Sequence, residues 1–430
     1  MMRNSLILVL SLLVAAIVTE SQPANAQFVL DPPILIDSSA RFTKLAVSGD
    51  GQKIIISWVL GKEILYRSSR DGGSFFGPVT VAAEAPPNPP GSDTAVDFFA
   101  ESAPIITPDG SRAAMLAAVE ANTLYAPILL PPFSTMARVR VYASSDMSGA
   151  FVQSHYVATL TDFREPESWL TGFHTTMHLE TDGSGQSYFG VWNIFLLGRS
   201  DRNVVFARGG RASPLFETPI DLSELPFSEP FEDDRDPKIA VDEAGIHLFV
   251  AWERRSSTVL VRSSDGGQTW EQLDGLSAGS KPDIGFARTG GRLVVLSSPG
   301  IYPQPTRIAF ILSEDLGETF GPEKIVAEGS ITPRVIVSKP RVAISTDGEV
   351  IAVLYSQENC DPVWGCGILP VEIRLAVSQD GGLSFEGLGV VAETYFDNTY
   401  DVTMDDEGRW IYLVAENEGS GAAVFRRAVR

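Results

Sequence analysis

Charged and polar side chains gather just ahead of several apolar runs in this chain, and their types suit the binding of an anion or a polyol. They are Arg41 and Lys44, Glu101, His174 and His178, Arg235 and Asp236, Lys281 and Asp283, Lys339 and Arg341, and Tyr400 and Asp401. Arginine offers paired, charge-assisted hydrogen bonds to a carboxylate, and lysine offers a point charge. Basic residues from four segments could therefore converge on an anionic or polyhydroxyl ligand. The same residues would also serve as salt bridges between neighbouring segments, for instance Arg235 with Asp233 or Asp234. Carboxylate pairs for glycoside hydrolysis can be drawn from Glu101, Asp236, Asp283 and Asp401, with no pair singled out. His174 and His178 have the spacing of a helical zinc pair, but no Glu follows His174 and Thr175-Thr176-Met177 reads as strand. No metal site is assigned there. The stretch from Asp221 to Asp236 carries seven carboxylates that could hold calcium, without the EF-hand spacing. No other cofactor is expected, because neither a Gly-rich phosphate loop nor a nucleophile elbow is present.

The elements that would position these residues repeat along the chain. Ser69 to Phe76, Ser263 to Trp270, Ser313 to Phe320 and Ser378 to Phe385 each read Ser-x-Asp-x-Gly-x-x-aromatic, and each follows an alternating apolar run. Such a segment is a hairpin turn. The Asp accepts backbone N–H groups a few residues on, the Gly takes a positive φ, and the aromatic ring starts the return strand. Ser144 to Phe151 is a degraded fifth copy with Ser148 in the Gly position. The motif aspartates are Asp71, Asp146, Asp265, Asp315 and Asp380, and their expected role is structural.

A second repeat is a strand, an acidic or polar Gly turn and another strand. It recurs seven times, near Gly51, Gly110, Gly183, Gly245, Gly291, Gly348 and Gly408. Period-two alternation on both sides of a Gly turn is the hairpin signature, and the spacing leaves room for one four-stranded unit plus a variable loop. The expected fold is all-β: a seven-bladed β-propeller, with six blades as the alternative. After the last hairpin only one more strand fits, around Gly421 to Val429. The segment Phe28 to Ile36 is expected to supply the missing outer strand and close the ring by pairing the two ends of the chain. The short connections, motif turns included, then fall on one face. The long ones fall on the other: Ala83 to Ala103, Glu120 to Ala137, Leu160 to Thr176, Thr218 to Asp236 and Cys360 to Cys366. Long loops on a rigid scaffold are where binding residues concentrate.

Residues 1–26 read as an export signal, with Arg3, an apolar core from Leu6 to Val18 and a small-residue cleavage site at Ala24-Asn25-Ala26; residues 27–430 read as one domain. No later stretch is apolar enough to span a bilayer, so a periplasmic or secreted protein is expected. The net charge of −21 disfavours nucleic acid as a partner and leaves a glycan or an extracytoplasmic protein. Cys360 and Cys366 are the two cysteines, and in an exported protein their spacing points to a local disulfide.

The Ser-x-Asp-x-Gly-x-x-aromatic motif resembles the Asp-box (BNR repeat) of sialidases and related bacterial propellers, and the scaffold resemblance covers nearly all of residues 27–430. Sialidases grip a substrate carboxylate with three Arg residues from different blades, use a Tyr nucleophile assisted by a Glu, and have an Asp acid/base. Their first Arg lies in an Arg-Ile-Pro element. Here the corresponding segment is Ala40-Arg41-Phe42-Thr43-Lys44, an Arg without Ile-Pro. Arg235 and Arg341 would complete a triad and Tyr400 would be the phenol, none of them inside a recognisable family motif. The resemblance implies either a binding propeller or a sialidase-like exo-glycosidase acting on a terminal acidic sugar.

Overall fold

A computed structural model of the protein describes residues 27–84, 95–124, 133–144, 152–159, 176–195, 202–210, 216–225, 233–274, 276, 279–300, 306–361, 366, 369–394, 400–417 and 422–430. The export signal, Asp146 and most of the loop expected between Leu160 and Thr176 lie outside these residues.

The protein is an all-β propeller; every regular element described is a strand. The strands form seven antiparallel sheets. Six of them open on Arg41–Val47, Ala95–Ile106, Met177–Thr181, Asp234–Val241, Ser280–Phe286 and Arg334–Ile344 respectively, and continue outward through hairpin-linked strands. The seventh contains Tyr400–Met404, Trp410–Asn417 and Ala422–Val429, and the last of these also pairs with Val29–Leu30 and Ile34–Asp37. The ladder places Leu30 opposite Ala428 and Leu35 opposite Val424.

The core lies between the sheets. Among the described residues seven apolar clusters are present, and each joins one sheet to the next. One unites Leu45, Ile54, Ile56 and Trp58 of the first sheet with Tyr412, Val414 and Phe425 of the seventh. The second strand of a sheet is packed on both faces, so it reads as an unbroken apolar run with a large ring: Ile54-Ile55-Ile56 before Trp58, or Phe249-Val250-Ala251 before Trp252.

The seven Gly turns are where the sequence places them, between the first and second strands. The left-handed residue of the third is Gly185 (φ 61°), two positions beyond the expected Gly183. These turns are tied together by backbone hydrogen bonds. Thr289 N–H donates to Thr346 O (3.0 Å), Thr346 N–H to Asp406 O (2.9 Å), Asp406 N–H to Gly49 O (2.8 Å) and Gly49 N–H to Pro108 O (2.8 Å). The chain of bonds passes from the seventh sheet to the first without interruption.

The Asp-box motifs staple one sheet to the next. At Asp265 the carboxylate accepts Gln268 N–H (2.9 Å), Thr269 N–H (2.8 Å), the Thr269 hydroxyl (2.6 Å) and the Ser263 hydroxyl (2.8 Å). Asp71, Asp315 and Asp380 repeat the pattern. A cation from the preceding sheet then donates to a motif carbonyl: Arg208 to Gly266 O (2.9 Å), Arg262 to Leu316 O (2.8 Å), Lys324 to Gly382 O (2.7 Å) and Arg427 to Gly72 O (2.8 Å). The motif aromatics meet the neighbour edge-on, with Trp270 and Phe206 centroids 4.9 Å apart and Phe385 and Phe310 5.1 Å apart. These hydrogen bonds hold the Asp265 carboxyl down at about 2, chiefly through the Thr269 hydroxyl. Asp265→Ala is expected to destabilise the fold by about 1–3 kcal/mol, since several donors lose their acceptor together. Thermal melting checks this; an unchanged midpoint would show that the turn holds without its carboxylate.

The disulfide expected between Cys360 and Cys366 is present. No helix among the described residues is long and apolar enough to cross a membrane.

Candidate functional site

The first strands of all seven sheets line a channel along the propeller axis, enclosing about 210 Å³. Its residues follow from a local device repeated in four sheets. Phe42, Asp236, Lys281 and Lys339 have φ of 55°, 52°, 54° and 54°, and at each the ladder slips, between Arg41 and Lys44, Arg235 and Lys238, Ser280 and Asp283, and Ser338 and Arg341. The slip is a β-bulge, and it re-aims the residues that follow. In three sheets the left-handed residue precedes a proline (Pro237, Pro282, Pro340), which excludes right-handed helical geometry for it. Two positions after the left-handed residue come Lys44, Lys238, Asp283 and Arg341, and all four line the channel. His178 and Asp401 join them from the third and seventh sheets, so the ring carries three cations, two carboxylates and an imidazole.

The ring's acceptors are fixed to backbone. Asp283 accepts Val342 N–H of the next sheet (2.7 Å) and Asp401 accepts Leu45 N–H (3.2 Å) and Val402 N–H (3.1 Å). His178 Nδ1 accepts Ile239 N–H (3.3 Å). Burial and the nearby Lys238 and Lys44 push the His178 pKa well down, so the imidazole is neutral and carries its proton on Nε2. Burial pushes Asp283 up against the opposing pull of Lys238 and Arg341. Lys238 is 7% exposed, and burial with Arg341 and Lys44 nearby pushes its ammonium down to about 8.

Glu180 also lines the channel, together with small residues such as Ala46, Ala240, Gly285 and Ala343, with Arg288 at 3.9 Å. Burial raises the Glu180 carboxyl to about 7 despite Arg288. An acid whose folded pKa exceeds its ordinary 4.5 holds its proton more tightly when folded, so stability falls as pH rises from about 4.5 through 7. The side chain is 28% exposed to channel solvent, which moderates the effect. Glu180→Gln is therefore expected to stabilise by about 1–3 kcal/mol at pH 8 and by little at pH 5, as read from melting in the two buffers. Equal shifts at both pH values would contradict the assignment.

The structure distributes the remaining expected residues differently. Arg41 and Arg235 are exposed and do not line the channel. Arg235 is committed to Asp233, through Nε at 2.6 Å and through Nη2. Asp234 is instead the partner of Arg254 (2.6 Å). The three arginines Arg41, Arg235 and Arg341 are thus not brought together in the channel, and Arg341 alone of the three enters it. Lys281 bonds Asp236 at 2.9 Å; burial raises the Asp236 pKa, but Lys281 outweighs it and the carboxyl sits low. Tyr400 is 4% exposed, its hydroxyl donates to Lys339 O, and its ring lies 6.0 Å from the Arg341 guanidinium. His178 lies in a strand, as Thr175-Thr176-Met177 suggests; His174 and Glu229 and Glu232 of the acidic stretch are outside the described residues. Asp221 in that stretch bonds Asn203 (2.7 Å) and Ser223 N–H (2.9 Å). Lys238, Glu180 and Arg288 escaped the sequence reading. The repeated x-Pro-charged triplets at 236–238, 281–283 and 339–341 were the signal for Lys238.

No protein-family profile matches the chain, and no curated protein matches it. Among solved structures it is similar to the Trypanosoma rangeli sialidase in complex with 2,3-difluorosialic acid, at 12% identity and a TM-score of 0.44, over 91% of this chain and 54% of that one. It is similar to the NanB sialidase from Streptococcus pneumoniae at 12% identity and a TM-score of 0.43, over 94% and 70%. It is similar to TolB from Acinetobacter baumannii at 11% identity and a TM-score of 0.39, over 78% and 63%. The chain spans about half the length of the trypanosomal sialidase. The propeller assignment here stands on the sheets and their packing.

Proposed function

We propose that this is an exported, periplasmic or secreted, seven-bladed Asp-box propeller that binds a glycan or an extracytoplasmic protein on its loop-rich face. Each of the seven sheets is taken as one blade, and the pairing of Ile34–Asp37 with Ala422–Val429 as the closure of the ring. Binding rather than hydrolysis is supported above all by Tyr400: a nucleophilic phenol must be accessible and basic, whereas this one is buried and donates to a backbone carbonyl. Asp236, Lys281 and Lys339 each come two residues before a channel-lining residue, Lys238, Asp283 and Arg341, and are the polar groups proposed to meet a glycan or acidic segment at the mouth of the channel.

The second reading, a sialidase-like exo-glycosidase cleaving a terminal acidic sugar, keeps Arg341 as the one arginine of the expected triad that faces the channel. A fluorogenic sialoside assay on the purified protein, beside a glycan-array binding measurement, separates the two. No turnover, with array binding lost in Lys281→Ala and kept in Asp265→Ala, is expected. Turnover abolished by Tyr400→Phe would establish the enzyme and reject the binder.

A further inference from the structure

We infer that the axial channel is itself a binding site for a small oxyanion (sulfate, phosphate or a carboxylate group), held between Lys238 and Arg341 with Lys44 facing them from a third sheet. The inference is independent of whether the loop-rich face binds or hydrolyses a glycan.

Two channel cations, Lys238 and Arg341, make no side-chain ion pair among the described residues. Among the described residues no carboxylate oxygen lies within ion-pair distance of the Lys238 ammonium, and nothing accepts a hydrogen bond from it, although the residue is only 7% exposed. Arg341 donates Nη1 to the carbonyl of its own neighbour Pro340 (2.9 Å), and its Nε is buried without a partner. Leaving buried cations unpaired is costly, and an oxyanion between them removes that cost.

Neutralisation from within the ring is limited by geometry. Asp283 and Asp401 are carboxylates of the ring, and each accepts a backbone N–H from the next sheet, Val342 for Asp283 and Leu45 for Asp401, which also accepts from its neighbour Val402. They act on Lys238 and Arg341 through space, as Asp236 does on Arg341, but none of them forms an ion pair or hydrogen bond with either cation. The crowding is visible in Lys238, whose ammonium burial and its cationic neighbours push down to about 8. Neutral His178, with Nδ1 occupied by Ile239 N–H, adds an N–H donor at the same level. The donors are therefore the Lys238 ammonium, the Arg341 guanidinium and the His178 imidazole N–H, a set suited to a tetrahedral or planar oxyanion. The channel volume of about 210 Å³ admits such an ion with accompanying water, each water needing roughly 30 Å³.

The test uses the full chain and inorganic sulfate. Melting is followed in sodium sulfate up to 10 mM against sodium chloride at equal ionic strength, for the parent, Lys238→Met and Arg341→Met. Comparing parent with variants cancels the general stabilisation by sulfate that acts through surface exclusion. A saturable, sulfate-specific rise of several degrees is expected in the parent, with apparent affinity at least tenfold weaker in each variant. In chloride alone Lys238→Met is expected to melt at or above the parent, because it removes an unpaired buried charge. Should Arg341→Met fail to fold, Lys44→Met gives the second comparison. A parent that does not respond, or a response kept in Lys238→Met, overturns the site. So does a Lys238→Met protein that melts well below the parent in chloride, since Lys238 would then be serving a structural ion pair. A sulfated disaccharide as a parallel probe identifies the source of the anion. Tighter Lys238-dependent binding than sulfate places the group on a sugar, and sulfate binding with the disaccharide refused assigns the channel to the free ion.

Discussion

Deletion of Phe28 to Ile36 is expected to abolish cooperative melting and to drive the protein into aggregates. The segment contributes Phe28 (5% exposed) and Ile36 (3% exposed) to two different intersheet clusters. Losing such residues costs about 3–5 kcal/mol for a Phe and 2–5 for an Ile. The sum approaches or exceeds half of a typical domain's 5–15 kcal/mol. Asp31 also leaves Arg427 (2.6 Å), the residue that reaches across to Gly72 O in the first Asp-box. Finally, Ala422–Val429 becomes an unprotected edge, open to pairing with another chain. Melting and size-exclusion chromatography of the truncated protein measure the effect. A midpoint within two or so degrees of the parent, and a monodisperse peak, would show that the seventh sheet stands on its last three strands alone.

Gly267→Ala is expected to destabilise by about 2–4 kcal/mol, more than removal of the Asp265 carboxylate in the same turn. Its φ is 88°, and a Cβ built there would lie 2.5 Å from Cε1 of Phe206, the ring against which Trp270 packs. A left-handed L-residue costs about 1–2 kcal/mol and an overpacked core contact about 1–3. Phe206 has no room to retreat, being 1% exposed inside the cluster between the third and fourth sheets. Gly387→Ala is the control: φ is ordinary and nothing lies within 4 Å of the added carbon, so no loss is expected. Chemical denaturation of the two variants measures the difference. Equal stabilities would mean that the motif glycine serves only the turn and not the contact between sheets.

Much of the local architecture could be read from the chain. Hairpin turns and their side-chain acceptors are built within about five residues, so Ser263, Asp265 and Gly267 announce the turn wherever the segment sits. The second strands could be read for the same reason, since burial on both faces leaves uninterrupted apolar runs. The candidate site was legible only in part. Lys44, His178, Asp283, Arg341 and Asp401 were expected near the axis and line the channel. Arg235 was expected there too, but it lies on the other side of the bulge from Lys238, and three residues along a bulged strand separate the outer rim from the channel wall. Lys238 was missed because its neighbours in the chain, Pro237 and Ile239, make it look like part of an apolar strand. Glu180 was missed because a lone glutamate between Leu179 and Thr181 has the ordinary appearance of an outward-facing position.

The sequence by itself determined an all-β chain of Gly-turn hairpins, the Asp-box turns with their structural aspartates, and a pair of cysteines close enough to join. Tertiary structure alone decided which charges meet. Lys44, Lys238 and Arg341 share one ring because the curvature of the assembled sheets sets where each first strand meets the axis, and the left-handed residue ahead of each sets which way its side chain turns. Tertiary structure also decided which charges are spent. Asp283 and Asp401 reach backbone donors that exist only where one sheet abuts the next, while the Lys238 ammonium makes no hydrogen bond or ion pair among the described residues. Local chain chemistry writes turns and strands because their partners are a few residues away; pairing between adjacent sheets depends on residues some sixty positions apart, whose meeting no local pattern encodes.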